Sequence, residues 1–349
     1  MESATLDLLR VNSDGSTQSV GDVASRLLQA NMDIGALRTN DVLRRDEWKD
    51  FDDVLIEISQ KELRGVADLF AAGNVYSLRN PLGRTRIEWE RINDMLPAEV
   101  SMSGVTTDNA RQERVTFDNQ SLPVPIIYKD FNMNVRFLAA TRERGEPVDT
   151  TQMRLATRIV NEGLEKMLFK GARVEGEGSV VYGYTNYPGR RTMTIAKPWT
   201  SKGVTGSEIL EDIIKFINDL QIGGLSGEGA ETHQNNMPGP YIMYMPQEWY
   251  MALMEDFKAN SDKSILSRLR EIPTISDYRP IRLLDNQNEL VLVQMTSDVV
   301  DWVDGLQPTV TQWDSPSGMV SHFKVMSIGV PRMKSTKYGQ CGILHVTVA

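Results

Sequence analysis

The 349-residue chain is poor in the side chains that do chemistry: it has one cysteine and three histidines. With Cys341 alone, no intrachain disulfide can form. His233, His322 and His345 are widely separated. None stands at metal-ligand spacing with another histidine or with Cys341, so each reads as a structural residue and no metal site is expected. No GxSxG elbow supplies a hydrolase nucleophile. The glycine-rich loop GGLSGEGAETH at 223–233 lacks the Lys-Ser/Thr pair that grips nucleotide phosphates, and it reads as a surface loop. The acidic cluster of Asp50, Asp52 and Asp53 has no EF-hand spacing. No apolar run approaches the ~20 residues of a membrane helix. The start, MESATLDLLR, is too acidic and polar for a secretion signal. A net charge of −9 argues against holding nucleic acid on a basic surface. The aromatics lie at core spacing, without the interleaved basic residues of a single-strand binder. No catalytic residue, cofactor or metal ligand emerges. An enzyme built on two carboxylates brought together by the fold would leave no motif, so that class stays open.

What is present is periodicity. The stretch from Asp149 to Gly171 is the clearest helix. Asp149 is the expected cap, with Gln152 completing a capping-box-like pattern. Ala156, Ile159, Val160, Gly163, Leu164, Met167 and Leu168 form the expected buried stripe. Arg154, Arg158, Asn161, Glu162 and Glu165 are expected mostly on the other side, with Glu162 and Lys166 four apart as a favourable pair. Gly171 is the expected stop. Such a rod is about 30 Å long.

Residues 1–40 are polar, with a short helical patch near Val23 to Ala30, and could bury little by themselves. Asp46 can cap an amphipathic helix carrying Trp48, Phe51, Val54, Leu55 and Ile58. From Asn80 to Pro125 the period changes to two. Ile87, Trp89 and Arg91 alternate with Arg86, Glu88 and Glu90, and Val115 and Phe117 alternate with Arg114, Thr116 and Asp118. This predicts a long charged hairpin, with seven arginines and eight acids between Leu63 and Tyr128. A two-stranded ribbon is marginal in water. It must fold back on its own domain or find shelter on a neighbouring subunit.

Ile127, Lys129, Phe131, Met133, Val135 and Phe137 share one face of a following strand. A turn-rich exit, YGYTNYPGRR, follows the long helix. Gly206 to Gln221 is a second helix with Ser207 as the expected cap. Pro240 to Met245 reads as a strand, and Pro246 opens a helix carrying Trp249, Leu253 and Phe257. Ile281 to Leu284 and Leu290 to Met295 read as two further strands, and Thr309 to Ala349 as short β segments. The fold class is α+β.

The succession of helix, NPLG, charged hairpin, LPVPIIYKDFNM, long helix ending FKG, and GYTNYPGRRT resembles the shell proteins of tailed bacteriophages and the encapsulins, which share the Hong Kong 97-type fold. The likeness is carried by Pro81, Leu82 and Gly83, by the strand from Leu122, and by the Asn186-x-Pro188-Gly189-Arg190 turn. It covers roughly Asp41 to Thr200 well and the rest by element order.

The resemblance implies an N-terminal arm (1–40) and a peripheral domain in three parts (41–79, 126–204 and 318–349). It also implies an extended loop (80–125) that overlaps an adjacent subunit, and an axial domain (205–317). It implies a major capsid protein, not an enzyme, that assembles as pentamers and hexamers into an icosahedral virion shell in the host cytoplasm. That shell would enclose DNA without sequence-specific binding and without a membrane, with scaffolding, portal and decoration proteins as possible partners. The expected inter-subunit residues are Arg84, Arg86, Glu88, Trp89, Arg114 and Phe117. An encapsulin-like compartment is the alternative. The forty-residue arm and the greater length favour the capsid. A soluble α+β enzyme is the remaining alternative.

Some capsids of this type crosslink covalently through a lysine in the extended loop. This chain has no lysine between Lys61 and Lys129. Boiled particles should therefore run as a single monomer band on an SDS gel. A ladder of oligomers mapping to residues 80–125 would contradict this.

Overall fold

The computed structural model describes residues 10–11, 17–18, 64–92, 117–136, 140, 143, 150–174, 178–225, 234–257, 263–285, 288–315, 319–336 and 338–349. The expected arm, the Asp46 helix, the Asp149 cap, Arg114, Val115, His233 and most of the glycine-rich loop lie outside the described residues.

In chain order the elements are β1 (Arg10–Val11), β2 (Thr17–Gln18), α1 (Gly65–Ala71), β3 (Val75–Ser77), β4 (Arg86–Ile92), β5 (Phe117–Pro123) and β6 (Ile127–Asn134). Then come α2 (Thr151–Lys170), β7 (Ala172–Arg173), β8 (Val180–Val181), β9 (Arg191–Ile195) and α3 (Gly206–Ile222). They are followed by β10 (Tyr241–Met245), α4 (Gln247–Ala252), α5 (Ile265–Leu269), β11 (Ile275–Pro280) and β12 (Leu290–Gln294). The last are β13 (Val300–Asp314), β14 (Val320–Met333) and β15 (Ile343–Val348). The chain divides into two compact units, residues 1–87, 123–183 and 300–332, and residues 88–122, 184–299 and 333–349.

The first unit is built on α2. Its stripe of Met153, Ala156 and Val160 packs with Met133 of β6, Val310 of β13, and Phe323 and Val325 of β14. The sheet behind it runs β3-β13-β14-β6. β3 joins in parallel, Trp302 opposite Val75. β6 joins antiparallel, Phe131 opposite Phe323, and these two rings stack at 5.1 Å. The expected one-sided alternation of β6 is therefore present, with Ile127, Phe131 and Met133 turned to this core. Gly329 leaves room in β14 for the Trp302 indole, which lies 2.7 Å from where a Cβ would stand. The Asp301 carboxylate holds the Arg332 guanidinium in two hydrogen bonds, Nε at 2.8 Å, both side chains buried.

Several details of α2 differ from the expectation. It starts at Thr151, and Thr150 at the N-cap makes no side-chain capping bond. Ile159, expected inside, is 45% exposed, whereas Asn161 and Glu165, expected outside, are buried. The reason is that α2 meets two neighbours, β6 and α1, so its buried arc is wider than one apolar stripe. The ion pair on the outer face is Arg158–Glu162, at 3.3 Å. Gly171 ends the helix at φ +72°, as expected.

The second unit is a five-stranded sheet in the order β11-β10-β12-β15-β9, parallel at both edges and antiparallel in the middle. Ile209, Ile213, Phe216 and Leu220 of α3 pack with Met243, Leu292, Leu344, Trp199 and Trp249. The Trp199 and Trp249 rings lie 5.0 Å apart. The cap of α3 is Thr205, not Ser207: its Oγ1 accepts from the Glu208 amide, and the Glu208 carboxylate accepts from the Thr205 amide. The expected strand at Ile281 to Leu284 is a single 3-10 turn, and the strand before it, β11, ends at Pro280. Leu253 caps the end of α4, and the helix does not reach Phe257. Thr309 to Ala349 holds two long strands and one short one instead of many short segments. β15 was expected to return to the peripheral part. It is instead central to this five-stranded sheet, because Leu344 and Val346 complete its core.

A Cβ at Gly183 would press on the Gly171 amide and lie 2.8 Å from the Leu168 carbonyl oxygen. Gly183→Ala should destabilise the protein by about 1–3 kcal/mol in urea unfolding. Gly224→Ala, where a Cβ meets nothing within 4 Å, should leave the midpoint unchanged.

Candidate functional site

The hairpin is present as a separate two-stranded sheet of β4 and β5. Its foot is fixed by local chemistry. Asn80 takes φ +53°, and the Gly83 amide donates to the Asn80 carbonyl at 3.1 Å and to its Oδ1 at 3.3 Å. The Leu78 amide donates to Asp304 O, and Val124 N to Thr85 O, both at 2.8 Å. The NPLG signal thus sets the point where the ribbon leaves the first unit's chain path.

Along β4, Ile87 is buried and Trp89 and Arg91 are half-buried, while Arg86, Glu88 and Glu90 are exposed. The alternation expected there is the one found. Arg84 is exposed at the foot, and Arg86 donates to Ser179 Oγ at 2.8 Å. In β5 the phase is opposite to the expectation. Phe117 is 61% exposed, and Asp118 faces inward to pair with Arg91 at 2.8 Å, joined by Gln120 Nε2 at 2.9 Å. The ion pair decides the phase, because satisfying Arg91 in a part-buried place outweighs hiding one ring. Arg84, Arg86, Glu88 and Phe117 are therefore solvent-facing, Trp89 is partly covered, and Arg114 lies outside the described residues.

A second exposed surface carried no sequence signal, since its residues come from strands far apart in the chain. On β6, β13 and β14, Lys324 Nζ sits 4.4 Å from the Tyr128 ring centroid and 5.5 Å from that of Trp313. Trp313 stacks on His322 at 5.4 Å, and Lys324 reaches Asp130 at 3.7 Å. Tyr128 is 57% exposed, and Ile126 and Met319 are also exposed. On α2, Leu155 and Ile159 stand exposed one turn apart.

The Asn186–Arg190 turn is wired into the second unit. Arg190 Nη1 donates to Tyr187 O at 2.8 Å, and the Tyr187 hydroxyl bonds Ser335 Oγ at 2.8 Å. Burial raises the Tyr187 hydroxyl above its usual pKa, keeping it neutral. Arg190 Nε donates to His345 Nδ1 at 3.3 Å, so the ring proton sits on Nε2 and is donated to Glu289 Oε2 at 2.6 Å. His345 is thus held at both nitrogens. Cys341 is fully buried, its thiol pushed up to about 12, which removes the reactive thiolate.

Residues 36–346 match a family described as a family of unknown function, DUF6260. The chain belongs to that family. This DUF6260 member is also 24% identical over 172 residues to the type 1 encapsulin shell protein EncA of Myxococcus xanthus, a match spanning 48% of this chain and about half (54%) of EncA. In structure it is similar to a virus-like particle from Pyrococcus furiosus, with a TM-score of 0.59 and 15% identity over 85% of this chain and 98% of that one. It is likewise similar to the capsid of the Myoviridae phage XM1, with a TM-score of 0.58 and 11% identity over 79% and 90%. The DUF6260 chain therefore has the Hong Kong 97-type shell-protein fold, and these relatives are shell proteins, not enzymes.

Arg190→Ala and His345→Ala should each lower unfolding stability by about 1–3 kcal/mol. The double variant should fall short of their sum by at least about 0.5 kcal/mol in a urea-based cycle, because both break one network. Strict additivity would separate the two residues.

Proposed function

We propose that this chain is the major capsid protein of a tailed double-stranded DNA virus, assembling into an icosahedral shell. The observation that carries the reading is the shell-protein fold in combination with a charged ribbon that leaves Phe117 in solvent. A heterologous contact repeated about an axis closes into rings of five or six subunits. The ribbon of one subunit then lies on the next. There Phe117 and Trp89 bury apolar area at about 25 cal/mol per Å², offsetting the ordering of the strands. Arg84, Arg86 and Glu88 supply complementary charge and register. The exposed apolar side chains on α2 and on the outer face of β6 and β14 suit a subunit with several neighbours. Individual contacts can be weak because each subunit makes many. The net charge of −9 limits adhesion to packaged DNA. On this reading the peripheral domain combines the pieces around α2, and the axial domain holds α3 and the strands that follow it.

The match to EncA favours a second reading, a protein compartment with the same shell. The two differ in contents. Negative-stain microscopy of the expressed protein should show closed shells, and nuclease-protected DNA inside particles from a producing host marks the capsid, whereas a protein cargo marks the compartment. A small soluble oligomer would overturn both.

Trp89→Ala should raise the protein concentration needed for assembly by about tenfold or more, consistent with loss of an interface anchor of about 2 kcal/mol. The melting temperature of unassembled subunits should change far less. Equal loss of both would make Trp89 an ordinary core residue.

A further inference from the structure

α1 has no capping side chain of its own: Arg64, at its N-cap, makes no side-chain bond to the helix. The cap comes from a residue a hundred positions away. Glu165 of α2 accepts from the Gly65 amide at 2.7 Å through Oε1 and from the Val66 amide at 3.4 Å through Oε2. The seat is tight. A Cβ at Gly65 would lie 2.8 Å from the Phe169 ring and 3.0 Å from Leu168 Cδ2, so glycine is required for α1 to come this close. Glu165 is only 7% exposed, and a second buried carboxylate, Asp68, stands one turn into α1.

We propose that Glu165 is a proton-operated joint between α1 and α2, closed when its carboxyl is protonated and loosened when it is charged. In the charged state a buried anion faces Asp68, with backbone amides of Arg64, Gly65 and Val66 as its compensation. In the neutral state that repulsion is gone, and the carboxyl oxygen still accepts from Gly65. Burial, followed by Asp68, raises the Glu165 pKa to about 7 against the three lowering amides. The other charged groups nearby are already engaged or exposed. On α2, Glu162 and Lys166 point to solvent. On β13, which packs on α1, Asp301 is held by Arg332. Asp304 of that strand lends its carbonyl to Leu78.

The sign follows from linkage. The folded carboxyl titrates near 7 and the unfolded one near 4.5, so the folded state binds more protons between these values. The stabilisation is complete below about 4.5 and is lost as pH rises through 7. α1 leads by way of β3 to the foot of the ribbon at Asn80–Gly83. A loosened joint would thus free the strand that feeds the ribbon. The device stands whether or not the chain builds a shell.

The test is made on the full chain. Hydrogen exchange of the peptide covering residues 64–71, corrected for intrinsic exchange, should show protection falling about tenfold to a hundredfold from pH 5.5 to 8.5. In Glu165→Gln, whose amide oxygen still accepts from Gly65, that fall should vanish and protection should stay at the low-pH level. Asp68→Asn should move the midpoint of the fall to lower pH. Protection in the wild-type chain that is flat across this range, or a Glu165→Gln chain with the wild-type slope, overturns the proposal. If Glu165→Gln does not fold, the wild-type exchange midpoint decides: near 7 supports the joint, and below 5 overturns it.

Discussion

Close approach of backbone to α2 is the constraint on which the first unit depends. Three glycines mark it. Gly65 lets α1 reach the Glu165 carboxylate past Phe169, Gly183 lets the returning chain lie against the end of α2 near Gly171, and Gly163 faces the Ile127 methyl at 3.3 Å from where its Cβ would be. A helix approached on more than one side cannot be amphipathic in the simple sense. It must bury polar side chains, and each of those then needs a partner or a proton. Thr157 donates to the Met153 carbonyl one turn back, and Glu165 turns to the Gly65 and Val66 amides.

This explains what the sequence could and could not disclose. Period alone located α2, α3, β4, β6, β10 and β12, because their buried faces are dominated by one neighbour and the apolar pattern is complete. It misplaced Asn161, Glu165 and Ile159, since a rule that sends polar residues outward has no knowledge of a second neighbour such as α1. It misplaced Phe117 for a related reason. In a ribbon with no core of its own, the Arg91–Asp118 pair sets the phase, and hydrophobicity does not. The end of the chain was misassigned because β15 pairs with β12 and β9, partners fixed by topology and not by any local signal. Of the surface residues, those on β4 were legible, while the Tyr128, Trp313, His322 and Lys324 group, assembled from three strands, was not.

The groups that might have done chemistry are engaged in holding turns and edges. His345 spends both nitrogens between Arg190 and Glu289. Asn235, fully buried, accepts from the Cys341 amide and donates to the Leu220 and Cys341 carbonyls, pinning the chain after the glycine-rich loop to the strand leading into β15. Arg191 clamps edge strand β9 to α3 through a two-point contact with Asp219 at 2.6 and 2.7 Å. Each of these fixes a loop or an edge relative to a core, and a subunit that must present the same surfaces to several neighbours needs that more than it needs a reactive site.

The ribbon reverses this economy. Its only strong internal polar contact among the described residues is the Arg91–Asp118–Gln120 cluster, and Phe117 lies in solvent beside it. Two strands joined by one part-exposed ion pair contribute little stability, because such a pair is worth no more than about 1 kcal/mol. Ordering some fourteen strand residues costs far more than that. The difference has to be met by contacts outside the two strands, and the side chains available to make them are Arg84, Arg86, Glu88 and Phe117, none of which is buried. A partner that covers a phenyl ring and answers both signs of charge is what this surface fits, and in a shell every copy can offer such a surface to the next.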